Sequence, residues 1–170
     1  MESDPADAFD AVVAAADSAM AVVTTAVDGE RAGCLVGFHA QSSIAPARYA
    51  VWLSKANHTY RVGLRATHLA VHLLAAGDHD LAEHFGALTG DAVDKFAGVA
   101  WRPGPAGVPL LDRCPARLVL ARTSLVDEGG DHVLVVGEPV VASAPPADFA
   151  PLRLGAAADI RPGHAAGDHP

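Results

Sequence analysis

Aromatic side chains make up only 5% of this 170-residue chain, and it has just two cysteines. Cys34 and Cys114 lie far apart, so they suggest neither a disulfide framework nor a cysteine metal site. Buried free thiols in a reducing compartment are the plainer expectation. No apolar run approaches the about 18 residues of a membrane-spanning helix. The start, Met1-Glu2-Ser3-Asp4, is acidic where a secretory signal would be basic. These absences point to a cytoplasmic protein with no membrane contact. Also missing are Gly-x-Gly-x-x-Gly after a strand, a Walker loop, His-Glu-x-x-His and Gly-x-Ser-x-Gly. No internal repeat of solenoid or propeller length is visible.

One further absence is local. The chain has 20 carboxylates and a formal net charge of -8, yet none lies between Arg31 and Gly77. That segment carries Arg31, Arg48, Lys55, Arg61 and Arg65, with His39, His58, His68 and His72. A stretch without acids keeps like charge away from an anionic ligand. Phe38, Trp52 and both tyrosines fall in the same stretch, and flat apolar surface beside positive charge suits a phosphate attached to a ring system. The acidic overall balance argues against nucleic acid.

What is present is small and apolar. Hydrophobic residues make up 51% of the chain, much of it Ala and Val, which suits one domain with a core of small side chains. The spacing predicts a helix over 6–19, with Asp4 as N-cap and Pro5 at the first turn. Strands are expected over 20–27 and 32–38 around the Asp28-Gly29 turn, then over 49–54 and 68–74, with helices at 59–66 and 80–88. Residues 101–109, rich in Pro and Gly, are expected to be irregular. Two long strands, 116–126 and 132–142, follow. The sum is a mainly β fold, a small antiparallel Greek-key barrel with short helices. The domain is expected over residues 1–154, with a flexible tail over 155–170.

Two places can carry chemistry. Ser54-Lys55-Ala56-Asn57-His58-Thr59 offers hydroxyls, an amide, a Lys and a helix start, which is either a phosphate cradle or an ordinary capped loop. Gly130-Asp131-His132 opens a long strand at a barrel rim, where His132 is either a ligand and proton group or a turn residue. No metal is expected: His68 and His72, four residues apart on a strand, stand ~13 Å from each other.

Several runs, taken in order, resemble the landmarks of the flavin reductase-like, FMN-binding split-barrel family. They are Met20-Ala21-Val22-Val23-Thr24-Thr25, Asp28-Gly29-x-x-x-Gly33, Ser43-Ile44-x-Pro46, Lys55-x-Asn57-His58-Thr59 and Val71-His72-Leu73-Leu74. Further on come Asp78 to Phe85, Asp94-Lys95-Phe96, Gly107 to Leu111, Gly130-Asp131-His132 and Gly137-Glu138-Pro139-Val140. The resemblance spans about Phe9 to Leu154. It implies a six-stranded split barrel, a homodimer with flavin near the subunit interface, and FMN or FAD reduced by NADH or NADPH and passed to a partner monooxygenase. By the same resemblance, Leu35, Val36, Gly37, Phe38, Gln41 and Ser42 follow the isoalloxazine ring. Lys55, Asn57, His58 and Thr59 hold the phosphate, and His132 acts where flavin meets nicotinamide. Many members carry a Thr-Ala-Asn-Ser-like run where this chain has Leu35-Val36-Gly37-Phe38. Ring contacts therefore fall to backbone donors with Gln41 and Ser42, and a non-catalytic flavin carrier or sensor is the alternative.

Overall fold

The computed structural model describes residues 4–164. Helix α1, Pro5–Ala16, begins as its sequence dictates: the Asp4 carboxylate accepts from Ala6 N–H at 2.9 Å and Pro5 fills the first helical position. Yet no residue of α1 is buried, and Phe9 and Val12 are 67% and 69% exposed. Its apolar stripe finds no partner among the described residues.

Strands β1 (Ala21–Val27) and β2 (Glu30–Val36) form the expected hairpin. Asp28 and Gly29 both take positive φ, 51° and 81°, as the two-residue turn that matches strand twist requires. Then come β3 (His39–Ser43), β4 (Arg48–Ser54), α2 (His58–Arg65), β5 (His68–Leu73) and α3 (His79–Ala87). The short β6 (Trp101–Pro103) and β7 (Pro109–Leu111) precede the long β8 (Arg117–Asp127) and β9 (His132–Ser143). The main sheet has seven strands in the order β2-β1-β5-β8-β9-β4-β3, and its pairings are antiparallel.

The expected strand count of six is thus one short. The extra strand is β3, whose His-Ala-Gln-Ser-Ser run is largely exposed; a polar edge strand lacks the apolar alternation that signals a strand. Residues 101–109 are not wholly irregular either, since β6 and β7 pair with Pro103 opposite Pro109. A two-stranded ladder is all edge, so a missing N–H can face outward.

The sheet curls on itself. Ala21 and Val23 of β1, Cys34 and Val36 of β2, Val51 and Leu53 of β4, and Leu120 of β8 share one interior core, although β2 and β4 are remote in strand order. Met20, Val22, Leu74, Phe85, Phe96 and Leu111 form a second core outside the barrel, under α3 and β7. Because β1 alternates between the two, it is buried on both faces, and its sequence is apolar but for Thr24 and Thr25, whose hydroxyls donate to Pro109 O and His68 O. Of the tail expected from 155, residues 155–164 include a 3-10 turn at Gly155–Ala157 with Ala157 buried and Ile160 packed on the outer core. The remainder of that tail lies outside the described residues.

Candidate functional site

At one rim of the barrel the end of β4, the loop to α2 and the start of β9 meet. The β4–β9 register sets Ser54 opposite His132, and Lys55 N–H donates to Asp131 O at 2.9 Å. Two adjoining cavities of about 410 and 210 Å³ open there, and both are bordered by Met20, Leu35, Ser54, Asn57, His132 and Leu154. Together they form one groove of the size that small-molecule sites have.

The groove gathers some of the expected site residues. Leu35, Val36, Gly37 and Phe38 line its smaller part, and the Phe38 ring lies 5.0 Å from that of His132. His132 Nδ1 is 2.7 Å from Asp131 Oδ1. Asn57 is the N-cap residue of α2, but its side chain makes no capping bond; it reaches Cys34 instead. Burial pushes the Cys34 thiol up, opposed in part by hydrogen bonds from Thr59 and Asn57. β2 is an edge strand. Lys95 Nζ takes Gly33 O on that edge, and the two-residue period places the backbone groups of Leu35 on the same edge, along the groove.

Other expected residues stand elsewhere. Thr59 is 1% exposed against Cys34. Gln41 and Ser42 are exposed on β3 and border neither part of the groove. The Lys55 ammonium is 2.9 Å from Asp127. His58 borders a separate cavity of about 300 Å³ with Arg31, Asp91, Asp94 and Lys95. Glu30 lies 3.3 Å from its Nε2, and Asp91 lies 3.2 Å from its Nδ1. That second contact is poorly aligned, so the buried Nδ1 has no hydrogen-bond partner.

The charge argument needs correcting. Each cation of the acid-free segment meets a carboxylate from outside it: Arg31 with Asp94, Arg48 with Glu138, Lys55 with Asp127, Arg61 with Asp91 and Arg65 with Glu30. Separation along the chain did not become separation in space, and the segment presents no uncompensated cationic face.

Sequence reasoning missed Met20, Phe85, Gly86 and Leu154 as groove residues; Met20 opens one landmark run and Phe85 closes another, but nothing in the local pattern marks Gly86 or Leu154. It also missed the role of Lys95. This Lys is 7% exposed and donates to Gly33 O at 3.0 Å and Phe85 O at 2.8 Å, tying β2 to the last turn of α3. Desolvation lowers its pKa. The run Asp94-Lys95-Phe96 was the available signal.

Residues 14–156 match the model of the flavin reductase like domain. The chain belongs to this family. It is 30% identical over 141 residues to a flavin reductase (NADH) of Kitasatospora aureofaciens, covering 82% of this chain and 72% of that one. To the reductase component of a flavin-dependent trigonelline monooxygenase of Acinetobacter baylyi it is 32% identical over 121 residues, 69% of this chain and 37% of the relative. The chain therefore spans under half of that relative's length. The NADH:FAD oxidoreductase of Streptomyces globisporus superposes with a TM-score of 0.74 at 29% identity, covering 86% of this chain and 88% of that one.

The groove of this flavin reductase-like domain has a donor set that fits a flavin. Apolar walls at Met20, Leu35 and Leu154 suit a ring system, and the edge of β2 offers backbone groups beside them. Asn57, at the start of α2, borders the same groove, while His58 faces Glu30 and Asp91 on the separate cavity. Among the described residues no helix is long and apolar enough to cross a membrane.

Proposed function

We propose that this flavin reductase-like domain binds FMN or FAD in the groove, reduces it with NADH or NADPH, and supplies reduced flavin to a partner monooxygenase. The observation that carries the reading is the convergence of Leu35 to Phe38, Asn57 and His132 on one groove. Flavin, when bound, supplies the two-electron acceptor, and that chemistry is the cofactor's own. The chain's part is to orient and to exclude water. The β2 edge at Leu35 directs backbone hydrogen bonds at the ring, while Met20, Phe38 and Leu154 keep its surroundings apolar. Asn57 and the backbone at the start of α2 hold the phosphate, and His58 joins them only by turning away from Asp91. Lys55 joins them only by leaving Asp127. His132, held through Nδ1 by Asp131, keeps Nε2 to hold or move a proton. The relatives named for NADH and for a monooxygenase component support the donor and the partner.

We also propose a homodimer. The bare apolar stripe of α1 supports it, as does the exposure of Ile44 and Val140.

Spectral titration with FMN, then anaerobic NADH or NADPH, tests the function. The wild type is expected to bind flavin and bleach. Asn57→Ala should weaken binding about tenfold, the loss of one good hydrogen bond to a charged group. His132→Ala should slow bleaching on the order of a hundredfold with affinity little changed. A bound flavin that does not bleach would instead favour the carrier, the reading motivated by the Leu35-Val36-Gly37-Phe38 run.

A further inference from the structure

The larger part of the groove has two sides built from different parts of the chain. Barrel residues Cys34, Leu35, Ser54, Asn57 and His132 make one side. The other is a single run near the end of the described chain, in which Ala157, Ala158, Ile160, Pro162, Gly163 and His164 face the groove. The family match stops at 156, so all six of these residues lie beyond it.

The run is pinned along α3 from end to end. Asp159 Oδ1 sits 2.8 Å from His79 Nε2 at the start of the helix. At its end Gly163 N–H donates to Gly86 O at 3.1 Å, and His164 Nε2 lies 2.9 Å from Thr89 Oγ1. Behind it, Leu154 N–H donates to Ser18 O at 2.9 Å and Gly155 N–H to Asp17 Oδ1 at 2.8 Å. Where the run crosses α3, each backbone has a glycine. A Cβ on Gly86 would come within 3.2 Å of Ile160 Cγ2, and one on Gly163 within 2.7 Å of Ala87 O. At Gly163 the clash is with backbone, so the close approach there needs a residue without a Cβ; at Gly86 the Cβ would meet side chains, Leu35 Cδ2 at 2.9 Å as well as Ile160.

We propose that residues 157–164 form a strap that walls the outer side of the flavin groove and sets how fast flavin leaves it. This rests on the flavin reading above. The strap contributes apolar surface at Ala157, Ala158 and Ile160, and one polar group at His164. A ligand lying between strap and barrel must break its contacts with this wall to leave, so strap contacts act on dissociation more than on association.

The test uses the full chain and FMN. Gly163→Ala forces the strap off α3, while Ile160→Ala keeps the backbone pins and removes the side chain that fills the wall. Both variants are expected to release FMN about tenfold faster, read by recovery of flavin fluorescence after dilution. In the wild type, FMN should slow hydrogen exchange at the Gly163 amide severalfold, a readout independent of turnover. Release rates within twofold of wild type in both variants, or a Gly163 amide indifferent to FMN, would overturn the strap. Should Gly163→Ala misfold, Ile160→Ala and the wild-type exchange measurement still decide. A wild type that binds no flavin at all would sink the functional reading itself, an outcome distinct from binding with unchanged release.

Discussion

His72 lies on β5 with no solvent exposure, and its ring joins three strands. Nδ1–H donates to Val22 O on β1 at 3.1 Å, while Nε2 accepts from Leu111 N–H on β7 at 3.1 Å. That pair of bonds requires the neutral ring. Burial pushes its pKa down to about 4, and the nearby Arg117 adds to the effect. In the unfolded chain the value is about 6.5. Between these values the unfolded state takes up a proton that the native state refuses. Stability is therefore untouched above about pH 6.5 and falls toward pH 4, by about 3 kcal/mol across the window. Urea unfolding of wild type and His72→Gln at several pH values should show a steeper acid loss in the wild type over this range. Equal slopes would remove His72 as the cause. The run Val71-His72-Leu73-Leu74 was legible as a strand, but the His72 partners were not. They lie 50 and 39 positions away.

At the scale of elements, local chemistry was largely readable. The Asp28-Gly29 hairpin and the Asp4-Pro5 helix start depend on near neighbours, and both appear as expected. β3 was hidden because it is a polar edge, and β6–β7 because its prolines argue against ladders that are paired on both sides. The run Gly137-Glu138-Pro139 was visible as a landmark without its reason. In β9 a Cβ at Gly137 would stand 2.7 Å from Leu120 Cβ and 2.9 Å from Ala121 O on β8, where the two-strand register also shifts. Gly137→Ala should cost about 1–3 kcal/mol by overpacking, seen as a lower denaturation midpoint. An unchanged midpoint would mean that β8 yields at its bulge.

For the whole molecule, the proposed homodimer gives α1 a purpose that the single chain does not. A helix without one buried residue contributes little to the fold it belongs to. Phe9→Asp with Val12→Asp should thus leave circular dichroism unchanged and shift the mass from light scattering toward one chain. A wild type that is already monomeric, or a double variant that stays dimeric, would remove α1 from the interface.

The sequence by itself determined the Asp28-Gly29 turn, the helix starts and the family resemblance, because each rests on short-range backbone preferences or on residue runs kept in order. Only the tertiary structure decided which candidates share a groove. It set Asn57 and His132 beside Leu35 to Phe38, sent Thr59 into the core and left Gln41 and Ser42 on an exposed edge. It also reversed the meaning of the acid-free segment, since Glu30, Asp91, Asp94, Asp127 and Glu138 return to its cations. Coulomb attraction acts through space and takes no account of sequence distance, so charge patterning along a chain does not predict the field at a site until the fold has placed the counterions.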